Sequence, residues 1–155
     1  QSDVTMLPFL TGERSPGWSP RARFVLHGAA PDTSPLEILQ AGLEAVTLRF
    51  VACLDELQPF VAPEAEIVAS GGGLLNSPTW CQMMADALGR PVIASTETEP
   101  SARGAALLAL EALGVLRLDE FSVALGATYE PRPELTQRYR AALTRQQELY
   151  RKVLG

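Results

Sequence analysis

Residues 66–78 read Glu-Ile-Val-Ala-Ser, three consecutive glycines, Leu-Leu-Asn, then Ser77 and Pro78. Glycines in succession are entropically costly to order, so a folded chain that keeps them needs backbone where a side chain does not fit. The run from Glu66 to Ser70 is short, nearly continuous in apolar character and bounded by Pro63 and the glycines. That is the pattern of a strand buried on both faces, as in a parallel sheet covered by helices. Ser77 and Pro78 then supply an N-cap and a first-turn proline for a helix that stops at Gly89. Strand, glycine turn and helix start, in that order, confine this part of the chain to a layered α/β fold.

The same start signal recurs. Ser34 with Pro35 and Glu37 forms a capping box, and Leu36, Leu39, Leu43, Val46, Phe50 and Leu54 follow at helical spacing, predicting a helix with that apolar face. Pro100 opens a third helix that ends at Gly114, and its small residues Ala102, Gly104, Ala105 and Ala106 are expected to pack close to the sheet or the glycine loop. Residues 23–28 and 90–95 read as further strands, and 121–134 as a loop or edge segment. A charged amphipathic helix follows from Pro133, with Leu135, Tyr139, Leu143, Tyr150 and Val153 available for packing. Gly12, Pro16, Gly17 and Pro20 mark a surface loop near the start. The expected order is strand, helix, strand, helix, strand, helix, then a terminal helix.

A chain of 155 residues with 46% hydrophobic and 20% charged residues is one soluble globular domain. Its net charge of −5, with arginines interleaved among glutamates, argues against a nucleic-acid partner. No apolar stretch has the length of a membrane span and no basic segment precedes an apolar one, so the expected address is cytoplasmic. Cys53 and Cys81 lack partners at metal-ligand spacing and are expected to be buried free thiols; His27 stands apart from any cysteine or patterned acid. The chain opens on Gln1 directly into an apolar run, the way a fragment begins.

Two readings of the glycines stay open on spacing alone. In one, the bare backbone and the adjacent helix start receive a flat or anionic ligand such as a nucleotide; in the other, the glycines only make a tight turn. A dinucleotide fingerprint is the minority alternative: Gly71, Gly73 and Asn76 have its spacing with the last glycine lost, and Glu97 lies where a ribose-binding acid belongs. Glu13 and Arg14, on the Pro/Gly-rich loop, are candidates to reach a cleft or to brace the loop. Trp80, beside Met83 and Met84, reads as core. Glu97 and Glu99 are explained by their place before a helix start.

The segments LPFLTGERSPGW, LEILQAGLEAVTLRF, IVASGGGLLNSPTWCQMMADALGRPV, EPSARGAALLALEALG and the tail from Tyr129 resemble, in order, successive blocks of the C-terminal domain of FGGY-family carbohydrate kinases. FLTGERSPGW with ASGGGLLNSPTW is most similar to the gluconokinase branch, with xylulokinases next. The resemblance implies an actin-like, ribonuclease-H-like ATPase fold, of which this chain is a single truncated C-terminal domain. It implies ATP and Mg²⁺, a sugar or sugar-acid acceptor, and an N-terminal domain of the same enzyme as partner. By analogy Gly71, Gly72 and Gly73 contact the adenosine and α-phosphate region, and Asn76 approaches the adenine. The catalytic aspartate and most sugar contacts are expected upstream of Gln1, so this chain alone is expected to be inactive. Uncovered sheet edges in such a fragment favour self-association, a homodimer being the simplest form.

Overall fold

The computed structural model describes residues 4–122 and 124–155. Two short strands, β1 (Thr5–Leu7) and β2 (Val25–His27), pair antiparallel with Met6 opposite Leu26. The helix α1 (Pro35–Leu57) follows. Strand β3 (Ile67–Ala69) leads through the glycines and a one-turn helix α2 (Gly72–Leu75) into α3 (Pro78–Leu88). Then come β4 (Val92–Ser95), α4 (Pro100–Ala112), β5 (Leu125–Tyr129) and the terminal α5 (Pro133–Leu154). The second sheet has the order β3-β4-β5: β3 and β4 run parallel through the α3 crossover, and β5 adds antiparallel to β4 with an irregularity between Ile93 and Ser95.

The helix starts match the sequence signals. Ser34 accepts the Glu37 amide while Glu37 receives the Ser34 amide at 2.8 Å, a complete capping box. The Ser77 hydroxyl accepts the Trp80 amide at 3.3 Å, and Gly89 closes α3 in the left-handed conformation. Proline occupies the first turn of all four long helices.

Burial departs from the expected faces. On α1 the buried residues are Ala41, Ala45, Thr47, Leu48, Val51 and Ala52, whereas Leu36 (72% exposed) and Leu39 (61%) face out. Small residues let α1 approach its neighbours closely, so the alanine-rich stripe, not the leucine stripe, turns inward. The main core gathers Leu48 and Val51 of α1, Met84, Ala85 and Leu88 of α3, Val92 of β4 and Leu143 of α5. Strand β3 is not buried on both faces, because Val68 is 40% exposed and β3 is an edge of its sheet among the described residues. The helix α4 buries none of its residues, so the small residues of 102–106 make no close packing there. Cys81 is buried and Cys53 half-buried, both as free thiols.

Two buried polar groups tie the layers together. The Gln146 amide on α5 donates to the carbonyls of Met6 (3.0 Å) and Ala45 (3.1 Å), pinning β1 and α1 to one point. The Asp86 carboxylate on α3 holds the start of α5 through Arg132.

Candidate nucleotide site

At the end of β3 the backbone turns at Gly71, whose φ of +96° lies in the region that L side chains avoid. The turn of α2 is then closed by hydrogen bonds from the Leu75 amide to the Gly71 carbonyl (3.1 Å) and from the Asn76 amide to the Gly72 carbonyl (3.0 Å). Gly71, Gly72 and Gly73 are all exposed. A Cβ at Gly71 or Gly73 would meet nothing within 4 Å, and one at Gly72 only the Asn76 amide nitrogen at 3.6 Å. The fold therefore needs glycine for conformation at Gly71 but leaves room for side chains at Gly72 and Gly73.

The three glycines form one wall of an open cleft of ≈ 560 Å³. Its other walls are apolar: Val46 and Phe50 from α1, Val68 from β3, and Trp80 and Met84 from α3. Trp80 is held in place by its indole N–H, which donates to the Thr47 hydroxyl at 2.9 Å. Sequence reasoning placed Val46, Phe50 and Trp80 in the core; they are instead the sides of the cleft, with Phe50 55% exposed. No local signal separates such a wall from a core face, since both show apolar residues at helical spacing. Asn76 is exposed at the end of α2 and lies outside the cleft lining.

The other candidates fall elsewhere. Glu13 is buried, and its carboxylate receives the Arg49 guanidinium, the Tyr150 hydroxyl at 2.6 Å and the Gly17 amide at 3.2 Å. Arg49 in turn lies 5.3 Å from the centroid of Phe9 and 5.5 Å from that of Tyr150. Arg14, its neighbour in sequence, is exposed and takes no part in this cluster. Glu97 pairs with Arg103 of α4 at 3.6 Å, and Glu99 precedes α4 without a side-chain cap bond. Among the described residues no group of three or more His, Cys, Asp or Glu could hold a metal ion, and no helix is long and apolar enough to cross a membrane.

Known proteins are similar to this chain in sequence and fold. The chain is 34% identical over 108 residues to the glycerol kinase of Nitrosomonas eutropha, covering 70% of this chain and 22% of that protein. It is 32% identical over 145 residues to the gluconokinase of Bacillus licheniformis, covering 86% and 26%. The crystal structure of the xylulose kinase from Rhodospirillum rubrum superposes with a TM-score of 0.80 at 27% identity, over 98% of this chain and 31% of that one. The chain thus spans between about a fifth and a third of the length of the kinases it matches. The fold is that of the actin-like, ribonuclease-H-like ATPases to which these phosphotransferases belong, which removes the dinucleotide reading of Gly71, Gly73 and Glu97. Residues 1–113 match the family model of the C-terminal domain of the FGGY carbohydrate kinases, and the chain belongs to that family.

Proposed function

We propose that this chain, as one truncated C-terminal domain over residues 1–155, is the nucleotide-binding part of an ATP-dependent carbohydrate kinase whose acceptor is gluconate. The observation that carries the nucleotide site is the bare backbone of Gly72 and Gly73 on the cleft: the fold has space for side chains there, and none is present. A nucleotide lying against Gly71, Gly72 and Gly73 gives that bareness a purpose. Exposed amides suit its α-phosphate, and the apolar walls suit the adenosine. Asn76, exposed at the end of α2, is assigned to the polar edge of the adenine.

Phosphoryl transfer asks for in-line positioning, charge neutralisation and a carboxylate that accepts the hydroxyl proton. Among the described residues no group of three or more His, Cys, Asp or Glu could hold a metal ion by itself. The metal, the carboxylate base and the sugar contacts are assigned to an N-terminal domain of the same enzyme, so this chain alone has no turnover. Gluconate is supported by the FLTGERSPGW segment and by a gluconokinase among the relatives, at 32% identity. Two free thiols suit a reducing cytoplasm. The isolated chain is expected to self-associate through the open edge of β3 and exposed Phe50 and Val68.

The test is calorimetric titration of the intact enzyme with Mg–ADP, with and without Gly73→Val, followed by assays with gluconate, glycerol and xylulose. Loss of ADP binding in a folded Gly73→Val enzyme supports the site, and unchanged binding sinks it. Preference for glycerol or xylulose would replace gluconate while leaving the nucleotide site in place.

A further inference from the structure

The loop 12–20 is built with unusual rigidity around an exposed tip. Its neck is closed by the Glu13 amide donating to the Ser19 carbonyl at 2.8 Å, and a second bond runs from the Trp18 amide to the Arg14 carbonyl at 2.5 Å. Its interior is filled by the Glu13 carboxylate, fixed by Arg49, Tyr150 and the Gly17 amide. At the tip stands Trp18, 70% exposed and with φ of +50°, the only non-glycine residue with positive φ among the described ones. A bulky aromatic in the left-handed region is a backbone outlier, and such strain persists only where the surroundings impose it. Trp18 therefore combines a positive-φ backbone, imposed by the bonds that close the loop, with an indole that the described residues leave largely uncovered.

The shape around Trp18 narrows the class of partner. Small-molecule sites are concave, yet Trp18 lines neither the glycine cleft nor the cleft that its loop neighbours Pro16 and Gly17 border. A convex, rigidly mounted tryptophan has the form of an anchor that fills a pocket on another protein surface. Leu10, just before the neck, is 79% exposed. Arg14 and Arg21 are exposed and form no ion pair among the described residues. A second copy of this chain meeting tip to tip would bring the same arginines together, which disfavours a symmetric pair.

We propose that Trp18 seats in an apolar, acid-rimmed pocket on the part of the kinase polypeptide that lies outside residues 1–155. The inference rests on the reading of this chain as one portion of a larger enzyme; a chain that covers 31% of the Rhodospirillum rubrum kinase leaves most of such an enzyme to supply the pocket. Contact area gained by the indole then offsets the strain, and Arg14 and Arg21 fix the orientation.

Hydroxyl-radical footprinting read by mass spectrometry tests this directly. It is done on the 155-residue chain and on the intact enzyme, at a concentration where sedimentation shows the enzyme to be monomeric. Trp18 is expected to oxidise at least tenfold more slowly in the intact enzyme. Trp18→Gly should leave the urea midpoint of the isolated chain unchanged or raise it, through relief of strain, and lower that of the intact enzyme. Equal oxidation in the two samples overturns the proposal, as does protection that vanishes when oligomers are diluted to monomers. A kinase assay on the same intact sample is independent: turnover with Trp18 unprotected removes the anchor and leaves the function, and protection without turnover does the reverse.

Discussion

The Trp80 indole on α3 and the Thr47 hydroxyl on α1 are joined by a 2.9 Å hydrogen bond beside the cleft that holds the three glycines. Thr47 is fully buried and its hydroxyl in turn donates to the Leu43 carbonyl at 2.9 Å. The pair fixes the first turn of α3 relative to α1, and with it the distance between the glycine loop and the apolar wall of Val46 and Phe50. Trp80→Phe keeps most of the ring's packing but removes the donor. It is expected to cost about 1 kcal/mol in urea unfolding and to weaken Mg–ADP binding as the wall loosens. Thr47→Val should produce a similar loss, and the double variant should lose less than the sum. Additive losses would mean that the bond does not couple the two helices.

Gly71 and Gly73 stand two residues apart but answer to different constraints. Gly71 needs its positive φ, so Gly71→Ala is expected to destabilise the protein by about 1–2 kcal/mol. At Gly73 the way out is open. Gly73→Val should fold with a near-native urea midpoint, since the penalty for a β-branched residue in place of glycine in one exposed turn is small. Its side chain would stand in the cleft and abolish nucleotide binding. Thermal melts of both variants with and without Mg–ADP separate the two roles: Gly71→Ala should lower the ligand-free Tm, whereas Gly73→Val should keep the ligand-free Tm near native and lose the nucleotide-induced rise.

Asp86 is fully buried and accepts hydrogen bonds from the Arg132 guanidinium (2.6 Å), the Arg132 amide (2.9 Å) and the Gln82 amide (3.1 Å). Burial pushes its carboxyl pKa up, but the bonds from Arg132 and Gln82 outweigh it and hold the group below the ordinary carboxylate value. A carboxyl whose folded pKa is depressed adds stability that is present above its unfolded value, about 3.9, and is lost as pH falls through the folded value. Asp86→Asn is therefore expected to lose about 2 kcal/mol at neutral pH, less than a fully buried pair because Arg132 is half exposed. Urea midpoints followed downward from neutral to about pH 3 should fall more steeply in the native protein than in the variant. Parallel curves would assign the acid sensitivity to other groups.

The four long helices were legible because their starts are written locally, whereas the one-turn α2 read as part of the glycine loop. Ser34 with Glu37, Ser77 with Pro78, and Pro133 name their own starts, and Gly89 its own stop. The strands were less so. Thr5–Leu7, Val25–His27 and Ile67–Ala69 have three residues each, too few for an alternating pattern, and the β5 strand sat inside a segment that read as loop or edge. Which face of a helix turns inward is set by what packs against it, so Leu36 and Leu39 read as core and stand in solvent. Glu13 shows the same limit at a single residue. Its partners Arg49 and Tyr150 lie 36 and 137 positions away, and no local pattern announces them. The glycine loop was visible because its requirement is compositional. Its use was not, because a tight turn and a ligand surface both ask for glycine; the empty space beside Gly72 and Gly73 is what the proposed nucleotide site is argued from.

Tyr150 donates to the buried Glu13 carboxylate at 2.6 Å. That hydrogen bond first, then burial and the Glu13 charge, raise the phenol's pKa above its ordinary value of 10.0. A group whose folded pKa is raised adds stability that is fully present below the unfolded value and is lost as pH rises through the folded one. The Tyr150 contribution is accordingly intact at neutral pH and fades only in strong alkali. Tyr150→Phe removes a hydrogen bond to a charged acceptor and is expected to cost about 1.5–3 kcal/mol at neutral pH. Raising the pH to about 11, past the free phenol's pKa, should narrow the gap between native and variant. Urea unfolding at both pH values measures this. A gap that stays constant would mean that Tyr150 stabilises the loop by ring packing on Phe9 and Arg49, with its proton on Glu13 contributing nothing.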